Sequence, residues 1–142
     1  MTHPTWLDKP DAEHYAAAAT YLSLIADDAT VTGLIALFEK APAVMFQAKD
    51  LLRASGLTAL PMTSSHVSRD IGKILAGTPL SPVLLVRGEI RTRAALVVAD
   101  GYHRICACHA LDENAEVACR IVALGDVKPR GPIRRPPRPA GR

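Results

Sequence analysis

Aromatic side chains are scarce, with Phe, Tyr and Trp making up 4% of 142 residues while hydrophobic residues make up 49%. An aromatic core is excluded; Ala, Leu, Val and Ile must build it, with Trp6, Phe38 and Phe46 as isolated larger fillers. Cysteine is almost as rare. Cys106, Cys108 and Cys119 form an odd set inside a short stretch, which excludes a disulfide framework. No secretory pattern stands at Met1-Thr2-His3-Pro4, so reduced thiols and a cytoplasmic location are expected. Long apolar runs are also missing. Pro82 to Val86 and Ala94 to Ala99 fall far short of the roughly 20 residues that a membrane helix needs, so no membrane partner is expected.

Acidic residues are absent from 128–142, where Lys128, Arg130, Arg134, Arg135, Arg138 and Arg142 stand among prolines. Residues 1–127 then hold eleven cations against fourteen acids. A mildly acidic body excludes the broad cationic face that non-specific duplex binding requires. Any weak nucleic-acid contact would sit in the segment after Val127, which cannot bury apolar surface and is expected to be disordered.

The length suits one domain. Asp11 is placed to cap a helix over about Ala12 to Ile25, with Tyr15, Leu22 and Ile25 at helical spacing. A second helix is predicted from Thr30 to Lys40, ended by Pro42, and a third near Phe46 to Ala54, ended by Gly56. Ser64 or Ser65 caps a fourth, His66 to Leu75. The period then changes. Val83 to Val86 and Ala94 to Ala99 read as paired strands of a hairpin, followed by a turn at Asp100-Gly101, a helix to about Leu111 and a last strand at Val117 to Leu124 in the same sheet.

The segment Val97-Val98-Ala99-Asp100-Gly101-Tyr102-His103-Arg104 carries the chemistry, because a buried strand runs into a helix through a glycine. The first N–H groups of a helix lack intrahelical acceptors and bear the positive end of its dipole, so they suit phosphate oxygens. Asp100 is suited to cap the helix, and His103 and Arg104 in its first turn add donors. Two bases at a helix start oppose the dipole unless an anion compensates them. His66 and Asp70, four apart on one helix face, form a possible base and its orienter. Cys106, Cys108 and His109 do not make a metal set: on one helix the two cysteines point about 200° apart. No metal ligands are assigned.

Gly101-Tyr102-His103-Arg104 resembles the Gly-Cys-His-Arg signature of sulfiredoxins, and the Asp-Gly-x-x-Arg frame resembles the turn of ParB N-terminal domains. The resemblance spans about Leu57 to Leu124 and includes the order of flanking elements. It implies an α/β (α+β) fold of the ParB/sulfiredoxin type, a small mixed sheet flanked by helices at 57–126; outside the resemblance, the residues themselves lead to a helical extension at 1–56 and a disordered basic tail at 127–142. It also implies nucleotide phosphates, from ATP or CTP with Mg²⁺, at Gly101, Tyr102, His103 and Arg104. Tyr102 replaces the sulfiredoxin cysteine, and a phenol cannot supply its thiolate, so sulfinic acid repair is not expected. The chain ends soon after the last strand, so a partition-type helix-turn-helix is not expected either. A nucleotide-binding protein is the first expectation. The second is a phosphotransferase, nuclease or NTPase with His103, Asp100, His66 or Asp70 as acid and base. The third is an adaptor binding a protein partner or a second copy through its N-terminal helices.

Overall fold

A computed structural model describes residues 3–128. Five helices, α1 (Ala12–Leu22), α2 (Asp28–Lys40), α3 (Ala48–Ser55), α4 (Ser65–Leu75) and α5 (Tyr102–Leu111), enclose four strands, β1 (Val44–Gln47), β2 (Val83–Val86), β3 (Val97–Asp100) and β4 (Glu116–Val122). The sheet order is β1-β4-β2-β3. It is mixed: β1 runs antiparallel to β4 and β3 antiparallel to β2, while β2 and β4 are parallel. The fold is therefore α+β, with a mixed sheet flanked by helices.

Alternation along the strands sends side chains to two cores. Leu84, Val86, Ala99 and Val122 face Ala18, Leu22, Val31, Leu34 and Phe38 of α1 and α2. Val83, Leu85, Val117 and Cys119 face α3, α4 and α5, where Leu51, Val67, Ile74 and Ile105 are buried. Asp27 caps α2 by accepting from the Thr30 N–H at 2.8 Å. Ala41, before Pro42, is extended and ends that helix. Gly56, at φ 69°, ends α3 in the left-handed region that glycine adopts without strain.

Three local expectations are corrected. The first helix stops at Leu22, and Ile25 is exposed. The helix expected from Phe46 is preceded by a strand: Val44 to Gln47 pair with β4, so segment 1–56 supplies a sheet edge as well as helices. The strand expected from Ala94 begins only at Val97. Ala94 makes an isolated bridge to Glu89, and the Leu96 N–H turns away to the Ala54 carbonyl at 3.0 Å. Arg93, at φ 61°, turns the chain there. The expected tail lies outside the described residues except for Val127 and Lys128, of which Val127 packs against the α2 core.

All three thiols are free and buried. Burial pushes Cys108 and Cys119 each up to about 12 from the ordinary 9.0. Unfolded thiols ionise near 9.0, so folding keeps them neutral in a window where the unfolded chain loses protons. Their contribution to stability is complete below pH 9.0 and is lost as pH rises toward 12. The slope is about 1.4 kcal/mol per pH unit for each thiol. Urea midpoints measured from pH 8 to 11 should fall less steeply above pH 9.0 in Cys108→Ala than in the wild type. Equal slopes would contradict this origin.

Candidate functional site

Residues 5–7 run along the loop before β2. The Leu80 N–H donates to the Thr5 carbonyl and the Leu7 N–H to the Leu80 carbonyl, both at 2.8 Å. The Asp11 N–H then donates to Ser81 Oγ at 3.2 Å, which sets the first turn of α1 against the C-terminal end of β3. A cleft of about 290 Å³ opens between α1, α4 and the β3–α5 turn. Its lining includes His66, Arg69, Asp70 and Lys73 from α4, Asp100, Gly101, His103 and Arg104 from the turn, Glu13 and His14 from α1, and Asp11 just before it.

Asp100, Gly101, His103, Arg104, His66 and Asp70 are thus brought to one cleft. Tyr102 points elsewhere: its hydroxyl donates to the Thr58 carbonyl, and only its backbone N–H, in the first turn of α5, is near the glycine turn. Burial, then the neighbouring Cys106, hold the Tyr102 hydroxyl above its usual range. Gly101 is the N-cap at φ 113°, a conformation that L side chains rarely adopt. A Cβ there would stand 2.4 Å from Val83 Cγ1 and 2.9 Å from Arg104 Nη2, so the close approach also requires glycine.

Asp100 does not cap α5, as its expected role had it. It is the last residue of β3, and its Oδ2 accepts from Arg104 Nη2 at 2.7 Å and lies 2.9 Å from His14 Nδ1. Arg104 is 7% exposed. The compensating anion for this base at a helix start is therefore Asp100 itself, four residues back. Arg104 Nε has no partner among the described residues. His66 and His103 stand with ring centroids 4.7 Å apart, so two titratable rings from α4 and α5 share one wall.

The wall from α1 is acidic. Asp11, Glu13 and His14 bring three ligand atoms within 4.8 Å of one another, a mixed carboxylate and imidazole set of the kind that can hold a divalent cation. None of these three was singled out by the motif, because they lie some ninety positions from it. Asp11 stands at the N-cap position of α1 but makes no side-chain cap bond. Cys106 is buried, its thiol held up by desolvation and accepting from the Leu60 N–H at 3.4 Å.

No family model, curated protein or solved structure matches the chain. Among the described residues, no helix is long and apolar enough to cross a membrane.

Proposed function

We propose that the protein binds the phosphate group of a nucleotide in the cleft between α1, α4 and the β3–α5 turn. The observation that carries this reading is the convergence of the free N–H groups at the start of α5 with His66, Arg69, Lys73 and His103 on one cleft of about 290 Å³. A helix start attracts an anion through its unpaired donors and dipole. Arg69 and Lys73 add charge-assisted hydrogen bonds from α4, and the His66 and His103 rings add further donors. Arg104 sits behind this wall and holds Asp100, which keeps that carboxylate from repelling the phosphate. The likeness of Gly101-Tyr102-His103-Arg104 to sulfiredoxin and ParB turns favours a nucleotide, with ATP and CTP as the first ligands to test. A cation bridging the phosphates to Asp11 and Glu13 would fit the acidic wall.

Calorimetric titration with inorganic phosphate, ATP and CTP, with and without Mg²⁺, tests the reading. Arg69→Glu and Lys73→Glu, each solvent-exposed on the α4 wall of the cleft, should weaken phosphate binding about tenfold or more, with little change in stability. Wild-type affinity in both variants would remove α4 from the site.

An adaptor is the second reading, favoured by a different feature. A cavity of about 780 Å³ lies beneath the 87–96 hairpin, lined by Phe46, Leu51, Ala54, Leu85 and Leu96. Phe46 is exposed, and Ile90 at the hairpin tip is 93% exposed. No heat with any phosphate ligand would leave this reading in front.

A further inference from the structure

The 87–96 hairpin is tied down away from the sheet it leaves. Glu89 and Ala94 exchange backbone hydrogen bonds of 2.9 and 3.0 Å, while the Leu96 N–H donates to the Ala54 carbonyl of α3 at 3.0 Å, so one leg is fixed to the helix. The neck is narrow: a Cβ on Gly88 would stand 2.4 Å from the Ala94 carbonyl oxygen. Ile90 at the tip lines the cavity of about 780 Å³ yet is 93% exposed, so the hairpin does not fill the space beneath it. Phe46, Leu85 and Ile121 of β1, β2 and β4 bound this space on one side and Leu51 of α3 on another, which makes its interior apolar.

The charged residues of the lining are all exposed, and their pairing is uneven. Asp50 Oδ1 accepts from Arg53 Nη1 at 3.3 Å. Glu89 Oε1 is engaged within its own turn, accepting from the Arg91 N–H at 3.0 Å with Arg91 Nε at 3.7 Å. Both carboxylates are thereby taken up. Arg87 and Arg93 make no side-chain hydrogen bond or ion pair among the described residues. An apolar space within the roughly 300–1,000 Å³ of small-molecule sites, with two guanidinium groups lacking a counter-ion beside it, is complementary to a slender apolar body that ends in an anion. A planar carboxylate matches the guanidinium fork.

We propose that this cavity binds a small amphipathic carboxylate, a medium-chain acyl acid whose chain lies against Phe46, Leu51, Leu85 and Ile121 and whose head group is held by Arg87 and Arg93. The site shares no lining residue with the phosphate cleft and does not depend on that reading. The chain supplies most of the affinity, and the exposed arginines select an acid over an alcohol.

Calorimetric titration of the full chain with acetate, octanoate, decanoate and 1-octanol tests this, with amide chemical shifts locating the site. Each added CH₂ should tighten binding about fourfold, so decanoate should bind about tenfold or more tighter than octanoate, and acetate should not bind. Decanoate should move the amides of Phe46, Ala54 and Leu96. Octanol should bind about fivefold or more weaker than octanoate, and Arg87→Gln and Arg93→Gln should each weaken decanoate about fivefold while leaving octanol unchanged. Phe46→Glu should abolish binding with thermal unfolding close to wild type, since Phe46 is exposed. No decanoate binding, equal affinity for octanol and octanoate, or arginine variants that bind like wild type would overturn the inference. So would decanoate shifts at Gly101 to Arg104 in place of the cavity, or self-association lost in Phe46→Glu without decanoate binding, which would make a second copy the occupant.

Discussion

Arg104→Ala is expected to lower stability by roughly 3 kcal/mol, the cost of removing one partner from a buried pair. The residue is 7% exposed, and its guanidinium supplies the 2.7 Å bond that neutralises Asp100 at the end of β3. Without it the carboxylate keeps, among the described residues, the His14 contact, and the α1–β3 junction loses its central charge pair. Arg104→Lys keeps the charge but not the fork that reaches Asp100 and His14 together, so it should recover only part of the loss. Urea unfolding of the three proteins measures this. A loss below about 1 kcal/mol for Arg104→Ala would mean the pair is no stronger than an exposed one.

Arg120→Met should cost a similar amount, roughly 3 kcal/mol, for a different reason. Arg120 lies on β4, is 6% exposed, and among the described residues its hydrogen bonds go to no carboxylate. Its Nη1 donates to the Phe38 carbonyl at 3.0 Å, the Glu39 carbonyl at 3.1 Å and the Tyr15 hydroxyl at 3.3 Å. Its Nη2 donates to the Asp8 carbonyl at 3.2 Å. The last carbonyls of α2 have no intrahelical donors and form the negative end of that helix, so a buried cation satisfies both needs at once. Methionine would fill the volume and leave those carbonyls without a donor, at about 1–3 kcal/mol for each one left unsatisfied. Denaturant midpoints measure the cost, and hydrogen exchange at Phe38 to Lys40 should accelerate in step. Unchanged exchange there would show that water replaces the guanidinium.

Periodicity and punctuation make most of the architecture readable in the sequence. The stripe Val31, Leu34, Phe38, the stops at Pro42 and Gly56, and the strand-glycine-helix order at Val97 to Arg104 all reflect forces acting within a few residues. Val44 to Gln47 was not readable as a strand, because four residues with no alternation signal owe their extended form to Val117 and Cys119 on β4. The same holds for Ala95 and Leu96, whose backbone is diverted by the Ala54 carbonyl. Local apolar character cannot report a distant hydrogen bond.

The site was half legible. Asp100, Gly101, His103 and Arg104 announce themselves by adjacency, and His66 with Asp70 by helical spacing. His14 carries no local signal: it becomes part of the site only when Leu7, Leu80 and Ser81 tie the chain start to the β2 loop. The role of Asp100 was likewise hidden. A residue before a helix resembles a cap in sequence, and only the position of Arg104 one turn later turns it into half of an ion pair.

The central claim is that phosphate sits at the start of α5, and backbone amide chemical shifts recorded during titration with inorganic phosphate test it most directly. The account predicts saturable shifts concentrated at Gly101 to Arg104 and at His66 to Lys73, with the hairpin residues Arg87 to Leu96 unmoved. Shifts scattered over the surface, or confined to that hairpin, would contradict it.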